Sequence, residues 1–273
     1  MLVLGFPAGS FGTNCYVLAA GPDGPCVVVD PGQDATASVR AALGQRGLRL
    51  EAVLLTRGHV DHTWSVAPLC EEFGVPVYIH PLDREMPVRP EAGLPADFPA
   101  AVLRGFPRSE PELVRPLPDE GPLGLAGLHI GVHHAPGHTP GSVAYSLRAG
   151  EDALLLTGDS LLAYGPGRAF PPVGDPDALA GSMSGVCGPR RDRTAVLPGH
   201  GGTTTVGAVR RFLQALSSKC LPRLPLGGAP RPATPGTVPR RVVGLRGFLF
   251  RQSGDAPFQK VPQLLLLIGR QGV

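Results

Sequence analysis

Leu54-Leu55-Thr56-Arg57-Gly58-His59-Val60-Asp61-His62 sits between two apolar segments, Ala52–Leu55 and Trp64–Phe73. The first is short and rich in Val and Leu, which predicts a strand. The second has the length and spacing of a helix. His59, Asp61 and His62 are thereby expected in the loop between them. Two imidazoles and a carboxylate within four residues are metal ligands by type. A loop at a strand end can splay them to different coordination positions. Taken alone, the cluster also reads as a solvated polar loop with Asp61 capping the following helix.

Three later islands share the same design. They are Ala135-Pro-Gly-His138-Thr-Pro-Gly-Ser142, Leu156-Thr-Gly-Asp159-Ser160 and Leu197-Pro-Gly-His200-Gly-Gly202. Each follows an apolar, strand-like run. Each places one ligand-type residue after a glycine, where the backbone can bend to present it. Four such islands at strand ends point to one shared centre.

This order resembles the metallo-β-lactamase superfamily, with its Thr-His-x-His-x-Asp-His motif followed by a Gly-His, a Gly-Asp and a final Gly-His. The resemblance spans roughly residues 1–217 and includes the Val28-Val-Asp-Pro-Gly32 turn. Gly137-His-Thr-Pro-Gly-Ser142 is most similar to the glyoxalase II branch, which also contains persulfide dioxygenases. The resemblance implies an α/β (α+β) class, a four-layer αβ/βα sandwich with the metal site at the edge of the two sheets. It also implies two metal positions. Site two would be complete here, with Asp61, His62, His200 and a bridging Asp159. Site one would keep His59, His138 and Asp159. The implied cofactor is Zn2+, one or two ions, with Fe2+ as an alternative. The implied chemistry is hydrolysis of a small thioester or ester by hydroxide generated at the metal, with Asp61 and Asp159 orienting it and carrying its proton.

Arg57 departs from the motif, standing where the first histidine belongs. A guanidinium stays protonated and offers no lone pair, so it cannot ligate a cation. Its charge also opposes a dication nearby. Either Arg57 turns to solvent and the site works with fewer ligands or none, or the protein is mononuclear. A single zinc in site two is one form of the second outcome. Iron on His59, His138 and Asp159, a two-His-one-carboxylate set, is the other. A non-catalytic homologue with an impaired site is a third reading.

The remaining candidates rank lower. Asp30 could support a ligand histidine or simply end a strand. His80 reads as a surface or core residue, and His129, His133 and His134 as structural. Arg168 lies in a loop after Asp159 that only loosely matches the family. Trp64 reads as packing.

Composition is consistent with this picture. The 273 residues carry 42% apolar side chains, enough for a sizeable core. Glycine (38) and proline (32) make an all-helical bundle a poor fit. The net charge of +3 divides unevenly, with 17 basic against 21 acidic residues over 1–220 and 8 against one over 221–273. The body is therefore mildly acidic, which removes the compositional case for nucleic acid. Five cysteines without Cys-x-x-Cys spacing give no disulfide framework or cysteine zinc site. The N-terminus lacks a basic region ahead of its apolar run, and no apolar run nears about 20 residues. These features predict a cytoplasmic protein with no nucleic acid and no membrane, and the resemblance implies a small-molecule substrate; oligomeric state is left open. Residues 1–217 are expected to form the domain. Residues 218–273, rich in Pro, Arg and Gly, read as a disordered or atypical tail, with a lid, an oligomerisation arm or a frame-shifted readout as alternatives. The tail offers no convincing basic, aromatic module for glutathione.

Overall fold

The structure is a computed structural model describing residues 1–149, 152–170, 172–217, 249–251 and 264–267. Strands β1 (Leu2–Ala8), β2 (Thr13–Ala19) and β3 (Pro25–Val29) run antiparallel as a meander. Gly21-Pro-Asp-Gly-Pro25 turns the chain between the last two, with Asp23 at φ +55°. Helix α1 (Ala35–Gln45) then crosses over to β4 (Arg49–Leu54), parallel to β3. Its inward stripe is Ala35, Val39, Ala42 and Leu43. A short helix α2 (Val60–Thr63) and helix α3 (Val66–Phe73) lead to β5 (Val77–Ile79) and β6 (Val114–Pro116), both parallel additions.

The second sheet begins with β7 (Glu120–Leu125), β8 (Leu128–His134), β9 (Val143–Ala149) and β10 (Asp152–Gly158), again antiparallel neighbours. A small hairpin, β11 (Leu161–Leu162) and β12 (Gly165–Pro166), follows. Helix α4 (Pro176–Cys187) carries the chain to β13 (Ala195–Pro198), which pairs parallel with β10. Asp175 caps α4 by accepting from the Asp177 and Ala178 amides. Strand β14 (Thr204–Thr205) and helix α5 (Val206–Ser217) complete this half.

Alternation along the strands explains the layering. Leu2, Leu4 and Phe6 of β1 face α1 and α3, together with Val17, Val28 and Val53. Their neighbours Val3, Leu18, Val27, Val29 and Leu54 face the second sheet and meet Ile130, Tyr145, Leu154 and Leu156. Leu155 and Val196 point outward to α4 and α5. Both sheets are thus buried on both faces, which only helices outside and sheets inside can satisfy. The expected four-layer sandwich is what the chain forms.

Two expectations need correction. Residues 81–122 are Pro-rich and carry no strand or helix period, which predicts an irregular excursion, yet they supply β6 and the start of β7. Gly121, Pro122 and Gly124 hide β7 from any propensity argument, and pairing with β8 holds it in place. The motif segment is not all loop, because Val60–Thr63 forms a helical turn with His59 at its N-cap. Asp61 therefore lies inside this turn and does not cap it.

In the expected tail, β15 (Leu249–Arg251) and β16 (Leu264–Leu267) are described, with β16 pairing antiparallel to β1. The remainder of 218–273 lies outside the described residues. Among the described residues no helix is long and apolar enough to cross a membrane.

Candidate metal centre

All four islands emerge at one edge of the sandwich. Thr56–His62 leave the end of β4, His138 lies between β8 and β9, Asp159 follows β10, and His200 follows β13. Backbone bonds tie them together. Val143 donates to Thr56 O at 2.8 Å and Gly199 to Gly158 O at 2.7 Å. The Asn14 side-chain amide donates to Pro198 O and Gly201 O at 3.0 and 2.9 Å, fixing the His200 loop to β2. Gly158 takes φ +49°, and a Cβ there would stand 2.3 Å from Thr56 Oγ1. A Cβ on Gly199 would stand 2.3 Å from Asp159 Oδ1, so only glycine lets the two islands approach.

Asp30 ends β3 in a left-handed conformation, φ +50°. It accepts from Thr56 N at 2.8 Å and Thr56 Oγ1 at 2.6 Å. Its Oδ2 also lies 2.8 Å from His62 Nδ1. This charge contact lacks hydrogen-bond alignment, but it turns the ring so that His62 Nε2 faces His200 Nε2 at 3.4 Å. Asp30 is therefore a supporting residue as well as a turn residue. His138 is oriented the same way, its Nδ1 donating to Arg168 O at 2.5 Å. Arg168 contributes through its backbone.

One supporting residue had no signal in the sequence. Asp83 is wholly buried. It accepts from Gly58 N at 2.8 Å, Gly141 N at 2.6 Å and Thr139 Oγ1 at 2.6 Å. It locks the motif segment to the Gly-His island. In Leu82-Asp83-Arg84 it looks like any surface carboxylate.

Three donors converge tightly, with a fourth carboxylate beside them. His62 Nε2 and His200 Nε2 are 3.4 Å apart, and Asp61 Oδ2 lies 3.4 and 3.0 Å from them. Asp159 reaches the same pair, Oδ1 at 3.6 Å from His62 and Oδ2 at 3.5 Å from His200. Zinc bonds of about 2.0–2.1 Å in a tetrahedron space their donor atoms roughly 3.3 Å apart. The donor set Asp61, His62 and His200 has the spacing of one such ion, with Asp159 bordering it.

His59 and His138 form a second pair, Nδ1 to Nε2 at 3.2 Å. Here Arg57 intervenes. It is 3% exposed and points into the centre, away from solvent. Its Nε donates to His59 Nδ1 at 3.1 Å, and Nη2 donates to Asp61 Oδ2 at 3.0 Å. Nη1 lies 2.7 Å from Asp159 Oδ1, a charge contact without hydrogen-bond alignment. His59 Nε2 is buried without a hydrogen-bond partner.

Charge follows from this packing. Burial pushes the Asp61 carboxyl up, but Arg57, His62 and His200 together hold it well below the usual carboxylate range. Asp159 is lowered against its own burial, chiefly by Arg57. Burial, then Arg57, push His59 down to about 3 and His138 down to about 4. His200 moves up despite burial, because it is bonded to Asp61. At neutral pH the centre holds two carboxylates, one guanidinium and neutral imidazoles at His59 and His138.

The other histidines are engaged elsewhere. His80 Nε2 donates to Asp119 Oδ1 at 2.9 Å, and its Nδ1 accepts from Leu82 N. His134 stacks on His80 at 4.3 Å and donates to Pro140 O at 2.8 Å. His133 meets Glu120 at 2.9 Å. Trp64 packs edge-on against Phe106.

Comparison with known proteins agrees with this architecture. A model of the metallo-beta-lactamase superfamily matches residues 8–200. An uncharacterized protein of Mycobacterium tuberculosis is 40% identical over 215 residues, 78% of this chain and 96% of that protein. The hydroxyacylglutathione hydrolase GloC of Haemophilus influenzae is 29% identical over 219 residues, 78% of this chain and 97% of that protein. The structure of TTHA1623 in a di-iron-bound form is 35% identical with TM-score 0.63, covering 76% of this chain and 97% of that one. From the matched span and the shared sandwich together, the chain belongs to the metallo-β-lactamase superfamily, most of whose members are hydrolytic metalloenzymes.

Proposed function

We propose that the chain is a metal-dependent hydrolase of a small acyl substrate, a thioester or ester. The observation that carries this reading is the convergence of Asp61, His62 and His200 at tetrahedral spacing, with Asp159 beside them. These residues would hold a divalent cation, with His59 and His138 on the flank toward Arg57. Nitrogen and oxygen donors in this arrangement suit zinc. Such an ion acidifies a bound water toward pKa about 7 and polarises a carbonyl.

The chain's own residues supply the rest. Arg57 keeps Asp61 and Asp159 ionised, so both accept hydrogen bonds from an attacking water and can take its proton. Asp30 and Arg168 fix the faces of His62 and His138. The similarity to GloC supports a thioester among acyl substrates. Free, buried Cys15, Cys26, Cys70 and Cys187 suit a reducing cytoplasm. The reading involves a small molecule only, with neither nucleic acid nor membrane.

The iron oxygenase reading is weaker on geometry. Of its three donors, His59 and Asp159 are both engaged by Arg57.

Thioester hydrolysis should fall by about a hundredfold or more in Asp61→Ala and Asp159→Ala, the usual weight of proton-transfer groups. Rates equal to wild type would remove this centre from the mechanism.

A further inference from the structure

We propose that the Arg57 guanidinium is a resident cation standing in for the first metal, so that the chain binds one divalent ion, on Asp61, His62 and His200. This rests on the hydrolase reading only in sharing its centre.

Three observations carry it. First, Arg57 is buried and aimed inward, where a charged side chain persists only if paired. Second, its partners are donors that the first position would need. Nε occupies the lone pair of His59 Nδ1, and Nη1 lies against Asp159 Oδ1. Of that position's donors, His138 Nε2, the far His59 nitrogen Nε2 and the second Asp159 oxygen escape the guanidinium. Third, the other position keeps both imidazoles clear, and Arg57 reaches it only through Asp61, whose Oδ2 accepts from Nη2 at 3.0 Å and still lies 3.0 Å from His200 Nε2. Its imidazoles present Nε2 at 3.4 Å from each other, and neither touches Arg57. A dication added at the first position would have to displace the guanidinium and would meet its charge at close range.

The substitution is electrostatic as well as steric. The guanidinium hydrogen-bonds Asp61 and sets its charge against Asp159, so it neutralises both carboxylates, as an ion at the first position would. It cannot acidify water. Arg57 is therefore a positioning residue, and any acidified water belongs to the single ion.

The test counts ions on the full chain. Metal-stripped protein is titrated with Zn2+ and with Co2+, and bound metal is measured after desalting by mass spectrometry. Wild type should hold one ion, and Arg57→His should hold two. His138→Ala should leave the wild-type count at one but reduce Arg57→His from two to one. His62→Ala should abolish binding in wild type. Two ions in wild type, none in wild type, or loss of the one ion in His138→Ala would each overturn the inference. If Arg57→His does not fold, His138→Ala and His62→Ala in the wild-type background decide. One ion bound with no thioester turnover would sink the hydrolase reading and leave this one standing. Two ions with turnover would do the reverse.

Discussion

Arg57 differs from a histidine in the same place by a fixed charge and by the lack of a lone pair. Both differences register on its neighbours. His59 and His138 are driven down to about 3 and about 4 by burial and then by the guanidinium. This has a pH signature. The unfolded chain protonates these histidines near 6.5, whereas the native state refuses the protons until far lower pH. The unfolded state therefore binds more protons across about pH 4–6.5, and native stability must fall as pH drops through that window. The slope is at most about 1.4 kcal/mol per pH unit for each histidine. His200 has a raised pKa, so its contribution is complete below about 6.5 and is lost only as pH rises beyond. Denaturant midpoints of the metal-stripped protein should show the acid-side loss, and His59→Asn should flatten it. A profile equally steep in both proteins would contradict the assignment. The ligand residues were legible because their types and preceding glycines are local. The direction of Arg57 was not, because its partner Asp159 comes from another sheet.

Among elements, the loops at the strand ends need cross-links to hold donors steady, and Asp83 supplies the main one. Removing it strands the buried amides of Gly58 and Gly141. Asp83→Ala should destabilise the protein by about 3 kcal/mol, because unsatisfied buried donors carry most of that cost. Thermal melting would show it, with Asp83→Asn milder; no change would mean the loops are held by other contacts. Strand existence was readable from short apolar runs between turn residues. Strand β7 was not, because its Gly-Pro-Leu-Gly sequence is a strand only by pairing with β8. Nor was the helical turn at Val60–Thr63. His62 N donating to His59 O at 3.0 Å and Thr63 Oγ1 donating to the same oxygen at 3.1 Å close it.

For the whole molecule, the question is how much chain the sandwich requires. The family match ends at residue 200, and the Mycobacterium tuberculosis relative is 96% covered by 78% of this chain. A chain of residues 1–217 should fold and bind the same number of ions as the full chain. Circular dichroism melting and metal counting would check this, and a truncated chain that fails to fold would show that β16 on the β1 edge is required.

The sequence by itself determined the class and the donor inventory. Alternating and short apolar runs dictate buried sheets, and imidazoles or carboxylates after glycines dictate where donors can be presented. Only the tertiary structure decided which donors share an ion. His62 meets His200 across 138 residues of chain. It also decided that Arg57 points inward, because the two carboxylates that stabilise its buried charge come together only when both sheets are packed.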